Sequence, residues 1–324
     1  MKKICFVALV MPLMLFSCQK EEGSETTTSG ACTPLPATPD YGWELAYNNR
    51  EVLSRITTSP FNNDELLIST AIVDDNSTDG NIYKYNLNSA ELSLVAKESV
   101  SSTPQWNTND QVVFTTAQSG FSLFYMNSDG SGLTQVPEYF NIFKPRWGID
   151  NTKIYFDDFN LSFQCVEADL SGNRLDTLNC PYILGIDFFD DKECLIYYPI
   201  EGGQFSIYNF DTDTIRSTGD QLPDYPISWF EVNDDNPNQF VFENSMGVHI
   251  YDLSTLTYTT IADSCESKNY LCPTYNKDHS FVYAIEHQYF PITGEQSGLL
   301  MIEDYIVKIS PNGGIVDRFR PLFD

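Results

Sequence analysis

The residues of this chain that could do chemistry are of few kinds: three histidines, several adjacent carboxylate pairs, one calcium-like stretch and eight cysteines. His249 falls within a strand-like run, His279 in a turn and His287 at the head of an insertion. A metal-dependent lyase needs several imidazoles converging on one ion, and three unrelated positions do not offer that. The pairs Asp74-Asp75, Asp157-Asp158, Asp190-Asp191 and Asp234-Asp235 invite comparison with glycosidases, which set two carboxyls across the scissile bond. Aspartate in a turn also bonds its own backbone, and we read these pairs as solvated turn formers. Asp75-Asn76-Ser77-Thr78-Asp79-Gly80 places side-chain oxygens at alternate positions before a glycine, like the first half of a calcium loop. Asn86 stands where the loop requires a bidentate acid. Asp75, Ser77 and Asp79 are therefore the candidate metal ligands, and calcium is the one cofactor the pattern permits. A polar hairpin with Gly80 in a left-handed turn is the competing reading. Nucleophile-elbow, dinucleotide-binding, Walker and His-Glu-x-x-His motifs are absent from the sequence, so no residue is put forward as catalytic.

The cysteines lead to the amino terminus. Lys2 and Lys3 precede an apolar run from Ile4 to Phe16, too short to span a bilayer and suited to the hydrophobic region of a signal peptide. The run ends in Leu15-Phe16-Ser17-Cys18, which resembles the bacterial lipobox, with Phe16 bulkier than the usual occupant. That resemblance implies cleavage before Cys18 and acylation of its thiol and new amine, and several acyl chains make a firm anchor. Residues 18–40, rich in Glu, Thr, Ser and Pro, have too little apolar surface to offset the entropy of ordering and read as a tether. Gln19-Lys20-Glu21-Glu22 is similar to the signal that follows the lipidated cysteine in surface-exported lipoproteins of the Bacteroidetes type. The expected location is the outer membrane, displayed at the cell surface, with a periplasm-facing anchor as the alternative. Cys32, Cys165, Cys180, Cys194, Cys265 and Cys272 then remain for an oxidising compartment. No Cys-x-x-Cys occurs among them, and Cys265 and Cys272, flanking one junction between repeats, are the expected disulfide.

Eighteen basic against 45 acidic residues give a formal charge of −27, which excludes nucleic acid as a partner, since phosphate binding needs clustered Lys and Arg. It also leaves the lipid on Cys18 as the one expected link to a membrane.

Residues 41–324 repeat. Trp106, Trp147, Phe188 and Trp229 follow one another at equal spacing, the first two in Pro-x-Trp contexts. Each is followed by a polar turn and β-rich runs such as Gln111-Val112-Val113-Phe114 and Phe240-Val241-Phe242. β-branched and aromatic runs of this length, punctuated by Asn, Asp and Gly, are strands joined by hairpins. Four per unit, at a period of about 40 residues, is the anatomy of a propeller blade. Pro145-Arg146-Trp147-Gly148-Ile149-Asp150-Asn151 through Phe156, and Leu123 through Asn127 with the Ser128-Asp129-Gly130 turn, resemble the repeat of TolB-type six-bladed propellers. The expected fold is all-β, a six-bladed β-propeller of four-stranded antiparallel blades: 50–98, 99–140, 141–181, 182–223, 224–265 and 266–324. Tyr41 to Arg50 are too few for a seventh blade and would supply a closing strand. The repeated Trp106, Trp147 and Trp229 are expected between blades as packing. The last unit carries an apparent insertion, Glu286 to Gly298, whose Tyr289, Phe290 and Ile292 are candidate contacts for a partner. Together these features point to a non-catalytic envelope lipoprotein whose propeller binds a protein or glycan of the cell envelope. A carbohydrate-degrading lyase or glycosidase, and an envelope assembly or sensor protein of TolB type, are the alternatives.

Overall fold

The computed structural model describes residues 32, 44–47, 51–72, 80–97, 104–116, 120–161, 164–178, 185–198, 203–218, 227–291 and 299–323. Cys18, the calcium-like Asp75, Ser77 and Asp79, and Ile292 lie outside them.

A short strand, β1 (Glu44–Tyr47), precedes six four-stranded units. The first holds β2 (Glu51–Thr58), β3 (Glu65–Ile72), β4 (Ile82–Asn86) and β5 (Glu91–Ala96). The second holds β6 (Gln105–Trp106), β7 (Gln111–Thr116), β8 (Ser122–Asn127) and β9 (Thr134–Gln135). In the third are β10 (Ile142–Trp147), β11 (Lys153–Asp158), β12 (Gln164–Asp169) and β13 (Arg174–Thr177). The fourth comprises β14 (Ile186–Phe188), β15 (Glu193–Tyr198), β16 (Gln204–Asn209) and β17 (Thr214–Ser217). The fifth comprises β18 (Trp229–Val232), β19 (Gln239–Asn244), β20 (Gly247–Asp252) and β21 (Thr257–Asp263). The sixth is β22 (Lys268–Tyr275), β23 (Val282–Pro291), β24 (Leu299–Ile309) and β25 (Ile315–Phe319). Within each unit consecutive strands pair antiparallel, so the chain is a six-bladed β-propeller.

Burial follows from the ring. A blade is sandwiched between two neighbours, so its middle strands bury both faces, as Gln239-Phe240-Val241-Phe242 does, whereas outer strands such as β17 are exposed along their length. The period of two sends alternate residues to opposite seams. Ile154 and Phe156 pack with Val113 and Leu123 of blade 2, and Tyr155 between them packs with Ile186, Phe188 and Cys194 of blade 4. Each such side chain contributes about 1.5–3 kcal/mol by leaving water, and six repeated seams distribute that stabilisation around the ring.

The two faces of the ring differ. Turns between first and second strands, and between third and fourth, form one face, here termed the turn face. Side-chain carbonyls and carboxylates close these turns: Asp190 accepts from the backbone N–H of Lys192 and Glu193 (both 2.8 Å), and Asp252, Asp169 and Asn107 act likewise. Much of the acidic composition is thereby spent on shaping turns. The opposite face carries the connections between second and third strands and the crossovers from each blade to the next, and is termed the crossover face.

Blade 1 is built from one contiguous segment, and β1, which precedes it in sequence, joins the sheet of blade 6 across the closing seam. Side chains hold that seam as well. Leu53, Ile56, Leu66 and Ile68 of blade 1 share a cluster with Cys272, Tyr283, Ile285 and Ile306 of blade 6. Asp304 accepts from Leu53 N–H (2.9 Å), Thr58 donates to the Tyr275 carbonyl (2.6 Å), and Lys277 to the Phe61 carbonyl (2.9 Å).

Two expectations are corrected here. The segment beginning at Glu286 is not a loop: Glu286 through Pro291 continue β23 and pair with Leu300 through Tyr305 of β24. The lengthened hairpin would expose an unpaired edge at Leu299–Ile302, and β1 covers it as a parallel neighbour. The strand before blade 1 therefore does join the last blade. Tyr289 donates its hydroxyl to Asn269 of the same sheet (3.1 Å), and Phe290 is 38% exposed. The second correction concerns the disulfide: Cys265 pairs with Cys32 (Cα–Cα 6.3 Å), and Cys272 is a buried free thiol. Cys265 lies in the tight turn that it closes with Lys268, while Cys272 is four residues further along β22, about 13 Å at strand rise. Its thiol points at the Ser54 carbonyl (3.8 Å) of blade 1, so the span exceeds what a disulfide bridges.

Candidate functional site

The innermost strands β2, β6, β10, β14, β18 and β22 wall a central channel. Three carry bulges: one in β2, between Leu53 and Arg55, and two that fall beside a proline. In β10 the register with β11 shifts between Phe143 and Arg146, and Lys144 has φ 47°; in β22 it shifts between Leu271 and Thr274, and Cys272 has φ 51°. Each of these two bulged residues precedes a proline (Pro145, Pro273), which has no N–H to give the ladder. Bulges of this kind turn the extra residue out of the sheet, here into the channel.

The residue before the last of each inner strand forms a belt. Arg146 donates to Gln105 Oε1, and its second amino group reaches the Phe230 carbonyl at 3.4 Å. Asp187 accepts from Val232 N–H of blade 5 (2.7 Å). Glu231 accepts from Tyr275 N–H (2.9 Å) and the Thr274 hydroxyl (2.7 Å) of blade 6. Thr274 in turn lies 3.5 Å from the Thr58 hydroxyl of blade 1. Each carboxylate thus caps the last amide of the next inner strand, and the belt stitches neighbouring blades.

Above the belt, blade 3 reaches across the ring. Lys144 Nζ donates to the Ser228 carbonyl (3.4 Å), and the Arg146 guanidinium lies over the Trp229 ring, 4.2 Å from its centroid. Ser228 donates its hydroxyl to Glu243. Arg146 is only 7% exposed. These groups keep a little surface toward the lumen yet are enclosed by the ring, so desolvation governs their titration. Burial, then the neighbouring Asp187 charge, pushes Glu231 up to about 8, and burial pushes Glu243 up to about 7. Burial likewise raises Asp157 and lowers Lys144, which face each other. The channel is bridged by cations, and two of its acids, Asp187 and Glu231, hold neighbouring strands, whereas Asp157 Oδ1 and Glu243 Oε2 are buried without a hydrogen-bond partner among the described residues.

The crossover face of blades 2 and 3 is different in kind. Phe140 and Phe159 are 55% and 53% exposed. Phe143 links Phe121 (4.9 Å between ring centroids) to Phe159 (6.4 Å) in a continuous aromatic ridge. Beside it, on the outer flank of the blade 2–3 seam, opens a groove of about 540 Å³ lined by Tyr139, Phe140, Asp158, Asn160 and Leu161 from the crossover side and by Gly172 and Arg174 of the β12–β13 turn.

The sequence-based candidates fall as follows. The histidines do not converge: His249 is a core residue held between Thr260 (3.0 Å) and Asn244 (2.9 Å), its pKa lowered by burial to about 4. His279 sits by Asp235 on the turn face, and His287 by Asp304 in the blade 6 hairpin. No group of three metal-ligating side chains occurs among the described residues. Asp157 and Asp158 are buried at the end of β11 and not solvated: the first lies in the channel, and the second forms a turn by accepting from Asn160 N–H (2.8 Å) and pairs with Arg174 (3.5 Å). Trp106 and Trp147 pack between blades as expected. Trp229 does not occupy their place. The residue that closes the inner strand of blade 5 is Val232, packed toward blade 4, and Trp229 lies three residues earlier, under Arg146. The equal spacing in sequence was a coincidence of crossover length. What sequence reasoning missed is the belt itself, although the polar residue directly before each closing position (Gln105, Arg146, Asp187, Glu231, Thr274) was there to be read.

No protein-family profile matches this chain, and no curated protein does either. Solved structures do. The chain is similar to a putative TolB from Agrobacterium tumefaciens (TM-score 0.58, 14% identity, 75% of this chain and 91% of that one). It is similar to the β-propeller domain of the Trilobed protease from Pyrococcus furiosus, described as having an open velcro topology (0.51, 12%, 80% and 95%). It also matches 52% of an acylaminoacyl peptidase from Pyrococcus horikoshii with 84% of its own length (0.52, 10% identity). At these identities the likeness is one of fold.

Proposed function

We propose that this protein is a non-catalytic binding propeller of the bacterial cell envelope, acylated at Cys18 and engaging its partner through the crossover face. The observation that carries this reading is the contrast between the two candidate regions. The channel is bridged by Lys144 and Arg146, and its Asp187 and Glu231 are committed to neighbouring strands, whereas the blade 2–3 crossover face exposes large aromatic rings beside an open groove. Exposed aromatic clusters rimmed by polar groups are the usual mark of a binding surface. Among the described residues no helix is long and apolar enough to cross a membrane, and the lipobox-like Leu15 to Cys18 supports attachment by lipid.

Two measurements test the reading. Fatty-acid labelling of the parent and not of Cys18→Ala supports the anchor, and equal labelling refutes it. A photo-crosslinking residue placed at Phe159 on the crossover face should capture envelope material, and one at Ile149 on the turn face should not. The reverse pattern would place binding on the wrong face.

A further inference from the structure

We infer that the groove at the blade 2–3 seam takes a neutral glycan, an inference that rests on the crossover-face reading and gives it a ligand class. The groove combines two kinds of surface that a pyranose ring also combines. Phe140 offers an exposed ring with Leu161 beside it, matching the apolar C–H face of a sugar. Around it stand the exposed Glu138, Asn160 and Arg174, groups able to accept from and donate to a rim of hydroxyls, with Asp158 buried behind them. The size, about 540 Å³, lies within the range of small-ligand sites.

The ring is held in place. Asn160 Nδ2 donates to the Phe140 carbonyl (2.9 Å), and Asn141 donates to Asn160 Oδ1 (3.2 Å). These bonds clamp a connection in which Glu138 (φ 69°) and Asn141 (φ 60°) both adopt left-handed backbone, a conformation kept only where surroundings enforce it. The clamp thus holds a large ring out in water instead of letting it fold back.

Charge and solvation select the class. Asp158 and Arg174 neutralise each other at 3.5 Å, leaving Glu138 as the surplus, on a chain of formal charge −27. An anionic sugar is repelled there. An apolar protein side chain entering the groove would strip water from the exposed Arg174 and Glu138 with nothing in return, whereas hydroxyls replace those hydrogen bonds.

The test is calorimetric titration of the intact protein with neutral tetra- to hexasaccharides of glucose, mannose, galactose and xylose. Saturable binding to at least one series is expected. Phe140→Ala should weaken it at least tenfold with an unchanged melting temperature, since the ring is exposed, and Arg174→Gln should weaken it independently. Absence of binding to every neutral series, binding only to uronate-containing oligosaccharides, or full binding by Phe140→Ala would overturn the inference. If no glycan binds while crosslinks from Phe159 capture a protein, the glycan assignment falls and the crossover-face reading stands. If no glycan binds and only Ile149 crosslinks, both fall.

Discussion

Glu231 offers the sharpest test of how the channel is built. Its carboxyl is held at about 8 in the folded ring against 4.5 for an unburied glutamate, so the folded state keeps a proton that the unfolded chain releases. Between those values the folded state binds more protons, and stability must therefore fall as pH rises, levelling off above about 8. At 1.36 kcal/mol per unit, the loss between pH 5 and pH 8 from this one group is about 3 kcal/mol. Glu231→Gln removes the titration and keeps an oxygen to accept from Tyr275 N–H and the Thr274 hydroxyl. The variant should gain on the parent by about 3 kcal/mol between pH 5 and pH 8 in urea unfolding. The comparison has to be variant against parent at each pH, because the formal charge of −27 adds its own pH-dependent repulsion to both. A difference that stays constant across the range would refute the reasoning, for Glu231 would then titrate like a surface acid.

Other outcomes are expected elsewhere. Asp304→Ala should cost about 2–3 kcal/mol in denaturant unfolding, because Leu53 N–H loses its acceptor at the seam that closes the ring. Gly247→Ala should lower stability by at least about 2 kcal/mol, since a Cβ there would lie 2.0 Å from the Ala262 carbonyl at φ +146°; an unchanged melting temperature would count against this hairpin geometry. Unreduced peptide mapping should return a Cys32–Cys265 link, with the Cys272 thiol labelled only after unfolding, as burial pushes its pKa up to about 12. A Cys265–Cys272 peptide would contradict the strand geometry described above.

What the sequence disclosed and what it hid follow from different physics. Strand identity and blade number were legible because each blade repeats the same local demand: a β run such as Lys153 to Phe156, then an Asn or Asp that closes the turn. Those signals act over a few residues, and the six unit boundaries drawn from them enclose the six observed sheets. Position across the ring is not local. Trp229 shares its spacing with Trp147, yet the crossover before it decides that Val232 closes the strand, while Trp229, still packed between blades, joins the blade 1 and blade 6 cluster beneath Arg146. The Glu286 segment looked like an insertion because its partner strand, β24, and its covering strand, β1, come from opposite ends of the chain. Cys32 found Cys265 across 233 residues, a pairing fixed by the fold and invisible to spacing. The groove was hidden for the same reason, since Phe140 of the crossover meets Leu161 and Arg174 of blade 3 only in the folded ring.

The Cys32–Cys265 bond also sets a length. Cys265 sits in the crossover from blade 5 to blade 6, so the bond fixes the chain to the crossover face at Cys32, well before β1 begins. If the proposed acylation at Cys18 holds, 14 steps of sequence separate it from Cys32, a contour of at most about 50 Å. Counted to Glu44 instead, the contour is at most about 90 Å. Under that proposal one covalent link nearly halves the contour between lipid and propeller, and a reductant that opens it restores the longer one.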